Sequence, residues 1–193
     1  MAMFAISISV FLHVTWNLLA RHTDPKSNFL WWGVGGHLII FGPWSVWHLI
    51  SDATWNVKLV IAIFVGGCAN AVYLLALKAA YRRAPVALVY PIARSSPLLI
   101  AVWSFIFLNE SLSFYGWLGI AISVMGLIWL GSTAQGGEPS KAIPWAVLAA
   151  VGTSVYSVTD KVAVVYLPTF GSQLGLVSVY FVFSFIALSL SNL

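Results

Sequence analysis

Long apolar stretches recur along this sequence and restrict the folds that it can adopt. A helix needs about 20 apolar residues to cross the hydrocarbon core of a lipid bilayer. Stretches of roughly this length lie at residues 2–20, 29–50, 57–78, 85–108, 114–131, 143–159 and 173–190. Charged residues make up 7% of the chain, whereas soluble domains carry about a quarter. We therefore predict an all-α integral membrane protein with about seven transmembrane helices.

One charge, Arg94, lies inside the fourth apolar stretch, between Pro91 and Pro97. A charge at membrane depth is costly and by default marks a pathway for a substrate or an ion. Each proline leaves the carbonyl four residues earlier without its helix partner, and such irregular backbone is tolerated where it lines a cavity. Tyr90 lies one turn before Arg94 on the same face. We predict that Arg94 and Tyr90 contact a substrate. The alternative is that Arg94 reaches a nearby membrane interface.

Polar side chains in the first and third stretches are further candidates for the wall of a substrate cavity. They are His13, Trp16 and Asn17 in the first stretch, and Asn70 and Tyr73 in the third. His13 and Asn17 share one stripe of a helix, and a polar stripe faces protein or water rather than lipid. The same stripe could instead join helices through hydrogen bonds. Asn70 is a candidate because a buried amide needs hydrogen-bond partners.

Several functional classes have no support in the sequence. The chain has one cysteine, no metal-ligand spacing, no phosphate loop and no dinucleotide fingerprint. We therefore predict no metal, no cofactor and no enzymatic activity, since Asp160 and Lys161 lie too near a helix end to form an acid–base pair at depth. The net charge of +4 is spread along the loops, which fits an orientation signal rather than nucleic-acid binding.

The segment at residues 79–131 carries a recognisable order of motifs. It runs through YRRAPVALVYPI at 81–92, a long apolar helix, NESL at 109–112, and glycines at 116, 119 and 126. This order resembles the EamA domain of the drug/metabolite transporter superfamily. The resemblance implies ten helices in two repeats of five, a bacterial cytoplasmic (inner) membrane and the transport of small metabolites. It also implies cytoplasmic termini, whereas the positive charges of the loops indicate an external N-terminus, and the orientation stays open.

The last part of the chain partly repeats the first. At an offset of 140 residues, similar residues pair as Trp16 with Tyr156, Asn17 with Ser157, Arg21 with Lys161, Gly35 with Gly175 and Phe41 with Phe181. We predict a first five-helix repeat at 1–132, a linker at 133–142 and the start of an inverted second repeat at 143–193. Since three helices of the second repeat are missing, we expect a fragment of a ten-helix protein. The alternative is an oligomer, such as a homodimer, that supplies the missing wall.

Two functions from different classes fit these features. The first is a secondary transporter or exporter of small metabolites, amino-acid-like or otherwise anionic, that works by alternating access. In this reading Arg94 holds the anionic group of the substrate, and the lipid bilayer surrounds the protein. The second is a non-transporting membrane subunit that assembles with an enzyme or with a lipid-handling partner.

Overall fold

The computed structural model describes residues 7, 11, 15, 28–133 and 136–192, and this part of the chain is helical without strands. Between residues 28 and 192 its helices are α1 (Phe29–Ile40), α2 (Gly42–Asp52), α3 (Val57–Tyr81), α4 (Val86–Ala93), α5 (Ser96–Leu108), α6 (Phe114–Ser132), α7 (Pro139–Val164) and α8 (Phe170–Leu190). Five spans are long and apolar enough to cross a membrane, with α4 and α5 together forming one of them. The prediction of an all-α integral membrane protein is confirmed.

Local capping explains where several helices begin. The side chain of Asn56 accepts a hydrogen bond from the amide of Leu59 at 3.0 Å, so α3 starts at Val57 as predicted. Ser113 caps α6 in the same way through the amide of Gly116 at 3.2 Å. The last span begins three residues earlier than predicted, because Thr169 and Ser172 form a reciprocal capping box.

Two predicted helices are interrupted in the structure. The stretch at 29–50 divides at Phe41, and Pro43 occupies the first turn of the helix that follows. The stretch at 85–108 divides at Arg94 and Ser95, and Pro97 lies in the first turn of α5. Proline is favourable in a first turn but disrupts a continuous helix, so these two prolines account for the positions of both breaks.

Helices α3, α7 and α8 form the centre of the described structure. α3 packs extensively against α7 and α8, while α7 also contacts α4 and α5, and α8 also contacts α1 and α2. A glycine makes the α3–α7 contact possible, since a Cβ atom on Gly152 would lie 2.9 Å from the Ala69 carbonyl oxygen and 3.0 Å from the Tyr73 amide nitrogen. The close approach places Tyr73 of α3 beside α7.

Candidate functional site

The break between α4 and α5 takes Arg94 out of regular helix. The Arg94 amide still donates to the Tyr90 carbonyl at 2.9 Å, but the next amide, that of Ser95, donates to Ile92 at 3.1 Å in a tighter turn. At about 1.5 Å per residue, α4 carries the chain about 12 Å from the α3–α4 loop before the break. The eight residues between Tyr73 and Tyr81 at the end of α3 cover about the same distance. Arg94 and Tyr73 therefore lie at similar distances along their helices from the α3–α4 loop.

Four tyrosines from three helices lie near Arg94. The Arg94 guanidinium carbon lies 5.3 Å from the centre of the Tyr90 ring, a cation–π distance. Tyr73, Tyr81 and Tyr156 are close enough to Arg94 to interact with it electrostatically. The rings of Tyr73 and Tyr156 meet edge to face, with their centres 5.9 Å apart. We call Arg94 and these four tyrosines the Arg94 cluster.

The Arg94 cluster has the chemistry of an anion site. A guanidinium offers a rigid fork of donors that matches a carboxylate or a phosphate in two parallel hydrogen bonds. The tyrosine hydroxyl groups can donate further hydrogen bonds, and the ring faces favour cationic groups. All five side chains are half-buried rather than buried, although the helices that carry Tyr73 and Tyr156 form the centre of the structure. Each of these side chains therefore keeps part of its surface accessible in the described part of the chain.

The structure brings together three of the seven predicted site residues, namely Arg94, Tyr90 and Tyr73. Asn70 is buried, and its side-chain oxygen accepts a hydrogen bond from the Ser184 hydroxyl at 2.8 Å. This bond links α3 to α8, so it gives Asn70 an interhelical role. His13, Trp16 and Asn17 lie outside the described residues. That any of the seven binds a substrate stays a prediction.

Three residues near the cluster were absent from the predicted site. Tyr81 follows Tyr73 by eight residues on one helix, so helical periodicity was a usable signal for it. Tyr156 comes from a distant part of the chain, and only tertiary packing places it beside Tyr73. Asp160, one turn after Tyr156, has one carboxylate oxygen that is buried without a hydrogen-bond partner in the described part of the chain. Asp160 interacts electrostatically with both Tyr156 and Tyr180.

Other polar groups have structural partners. Glu110 lies in the connection between α5 and α6. It forms an ion pair with Lys161 and so joins the α5–α6 connection to α7. The hydroxyl groups of Ser45 on α2 and Ser178 on α8 form a hydrogen bond at 2.7 Å, and a ring nitrogen of His37 lies 3.0 Å from the Ser178 hydroxyl.

Among the described residues, no group of three or more His, Cys, Asp or Glu side chains could hold a metal ion.

Parts of the chain match known proteins. Residues 1–132 match the EamA-like transporter family. The chain is also similar to the probable 4-amino-4-deoxy-L-arabinose-phosphoundecaprenol flippase subunit ArnE of Aeromonas hydrophila subsp. hydrophila, with 27% identity over 89 residues. The aligned region covers 46% of this chain and 71% of that protein. No solved structure matches.

Proposed function

Because the chain belongs to the EamA-like transporter family, we propose that it moves a small anionic solute across the membrane by alternating access, with Arg94 holding the anionic group. The family and the five apolar spans make the chain an integral inner-membrane protein of a family of small-molecule transporters. The anionic character of the solute and the alternating-access mechanism are the proposed parts.

The observation that carries the proposal is the position of Arg94 in a break between two half-helices, among tyrosines from α3, α4 and α7. A guanidinium in a region of low dielectric attracts an anion much more strongly than it would in water. The four hydroxyl-bearing rings give the bound solute polar partners together with apolar walls. Such a mixture suits a small molecule with one charged end.

The break also supports alternating access. Interrupted helices at the membrane midplane are a recurrent feature of secondary transporters, where their ends hold the substrate while the surrounding helices rock. Here α4 and α5 both contact α7, and α4 also contacts α3 and α6. A change of angle at Arg94 would alter these contacts together, since the two half-helices are joined only through Arg94 and Ser95.

Binding and uptake measurements would test the role of Arg94. The purified protein would first be screened by thermal shift against small carboxylates, neutral metabolites and amines, and the stabilising compounds would be used for uptake into proteoliposomes. Arg94→Gln should reduce uptake by about a hundredfold, because it removes both the charge and the donor fork. Arg94→Lys should retain part of the uptake, because it keeps the charge without the fork.

A matched control is Lys58→Gln, which removes an exposed cation at the start of α3. It should leave uptake unchanged. Uptake by a folded Arg94→Gln protein at the wild-type rate would show that Arg94 does not hold the solute. Stabilisation by neutral or cationic compounds alone would show that the solute is not an anion.

The similarity to a flippase subunit favours a second candidate function. In this alternative the chain assembles with a partner and helps to move a phosphate-linked lipid, rather than carrying a soluble solute alone. Affinity purification from native membranes would then recover a stoichiometric membrane partner. Lipid movement in vesicles would require both chains, whereas the first proposal expects uptake without a second, different chain.

A further inference from the structure

A basic pocket lies at the membrane edge, apart from the Arg94 cluster. It is a cavity of about 570 Å³ where α3 ends, α7 begins and α8 ends. Four cationic side chains and one carboxylate line it, which leaves a net charge of +3; they are Lys78, Arg82, Arg83, Lys141 and Glu138. We call this cavity the basic pocket. Like charges repel when they are held together, so an anion in the pocket would relieve an unfavourable arrangement.

The walls of the basic pocket are fixed by specific contacts. Gly137 has a φ of +76°, and a Cβ atom there would lie 2.6 Å from the Arg83 carbonyl oxygen. The same carbonyl accepts a hydrogen bond from the Glu138 amide at 2.7 Å. Only glycine fits this left-handed position at such close range. The connection before α7 is therefore held against the connection after α3, and it closes one side of the pocket.

Two of the cations are held in place. The Arg83 guanidinium carbon lies 5.4 Å from the centre of the Trp145 ring, and one of its terminal nitrogens donates to the Ala79 carbonyl at 2.6 Å. The Lys78 ammonium group donates to the Ser191 hydroxyl at 2.9 Å at the end of α8. Arg82 and Lys141 are exposed, and Lys141 pairs with Glu138 at 2.5 Å. The pocket thus combines two anchored cations with two cations that can turn towards a ligand.

The charge and size of the basic pocket indicate its ligand. An anionic group with several acceptor oxygens suits four neighbouring cations, and arginine forks fit phosphate oxygens. The start of α7 adds the positive end of a helix dipole. The volume is within the range of about 300–1,000 Å³ that is usual for ligand pockets, so it has room for more than a bare ion. We propose that the basic pocket binds a phosphate group carried by a larger molecule, either an anionic lipid headgroup or a soluble phosphorylated compound.

Two sets of probes distinguish the sources of the phosphate. Native mass spectrometry of the protein released from nanodiscs would count retained phosphatidylglycerol against phosphatidylcholine. Isothermal titration with glycerol 3-phosphate and with inorganic phosphate would detect soluble ligands. Retention of phosphatidylglycerol without binding of soluble phosphates identifies a lipid site, and binding of glycerol 3-phosphate identifies a site for soluble compounds. Absence of both overturns the proposal.

Charge variants of the exposed residues test the site itself. The double variant Arg82→Gln with Lys141→Gln should weaken binding by about tenfold or more, since each loses a charged contact. Glu138→Gln should strengthen binding, because it frees Lys141 and raises the net charge of the pocket. Glu138 makes no side-chain cap to α7, so this variant keeps the start of the helix.

Lys58→Gln is the matched control, because it removes one cation outside the pocket. An equal loss in Lys58→Gln and in Arg82→Gln alone, each of which removes one cation, would mean that phosphate is attracted by overall charge, and this would overturn the assignment. Weaker binding in Glu138→Gln would do so as well. The loss of phosphate binding caused by the double variant should persist in an Arg94→Gln background, which separates this site from the proposed solute site.

Discussion

Helices α3 and α7 are packed against other helices over more of their surface than α6 is, although all three are apolar enough to cross a membrane. In their most apolar windows, 39% of the residues of both α3 and α7 are buried inside the protein, against 6% for α6. Lipid tails are as apolar as a leucine side chain, so hydropathy alone does not decide which helix packs against protein. The comparison shows that packing depends on another property of the sequence.

That property is the placement of small residues against a neighbouring backbone. Gly152 of α7 lies where a Cβ atom would collide with Ala69 and Tyr73 of α3, whereas Gly119 and Gly126 of α6 have nothing within 4 Å in the described structure. Glycine therefore allows close helix packing between α3 and α7, whereas in α6 Gly119 and Gly126 lie on an open surface of the described structure. The three- and seven-residue spacing of Gly116, Gly119 and Gly126 in α6 predicts a face for packing or dimerisation.

The largest effect is expected from Gly152→Leu, compared with Gly119→Leu. The first variant would force α3 and α7 apart and should lower the free energy of unfolding by about 3 kcal/mol or more. The second should change it by less than about 0.5 kcal/mol. Thermal unfolding in detergent and in native membranes would measure both. An equal loss for Gly119→Leu in native membranes would mean that α6 packs against another chain, and the contrast between the regions would fail.

Pro97 lies at the break between α4 and α5, whereas Pro144 lies inside the continuous helix α7. Pro97→Ala restores an amide that can donate to the Ala93 carbonyl, so it should reduce the angle between α4 and α5 and lower solute uptake by about tenfold or more. Pro144 lies near the start of the continuous helix α7. Pro144→Ala should therefore leave both the angle between α4 and α5 and the solute uptake unchanged. Distances between spin labels at positions 87 and 105 would report the angle. A Pro97→Ala protein with the wild-type distance would show that Pro97 does not maintain the break.

The carboxylates of Asp160 and Glu110 allow the effect of a charge on stability to be compared between a partly buried and an exposed position. Asp160 has a buried oxygen without a hydrogen-bond partner among the described residues, while Glu110 is exposed and paired with Lys161. Asp160→Asn should raise the free energy of unfolding by about 1 kcal/mol, because it removes a poorly satisfied charge. Glu110→Gln should lower it by at most about 1 kcal/mol. A less stable Asp160→Asn protein in the same unfolding assay would indicate that the charge is needed for folding.

The smallest effect is expected at Asp52, where α2 ends beside the start of α8. Hydrogen bonds from Ser51, Thr169 and His48 lower the pKa of Asp52 from 3.8 to about 2. A lowered pKa stabilises the folded protein above the unfolded value, and this contribution is lost as the pH falls from 3.8 towards about 2. The melting temperature should therefore fall more steeply over this range in the wild type than in Asp52→Asn. Parallel curves for the two proteins would contradict this assignment.

Much of the secondary structure follows from local sequence. The apolar stretches predict the helices, and Asn56 and Ser113 predict where two of them begin, because capping involves residues only a few positions apart. The break at Arg94 is also local, since Pro91 and Pro97 enclose it. Likewise, Tyr90 is placed next to Arg94 by one turn of helix. These features depend on hydropathy, helical periodicity and proline chemistry, which a single sequence displays.

Tertiary structure decided which helical faces meet. Tyr156 joins the Arg94 cluster through the close contact at Gly152, Asn70 is paired with Ser184 across two helices, and the basic pocket collects cations from α3, the α3–α4 connection and α7. Within a membrane, the hydrophobic effect does not select one helix face over another, because lipid and protein are similarly apolar. Selection comes from small residues and from polar pairs far apart in the chain. The sequence by itself determined the spans and the position of the charge, and long-range packing determined its neighbours.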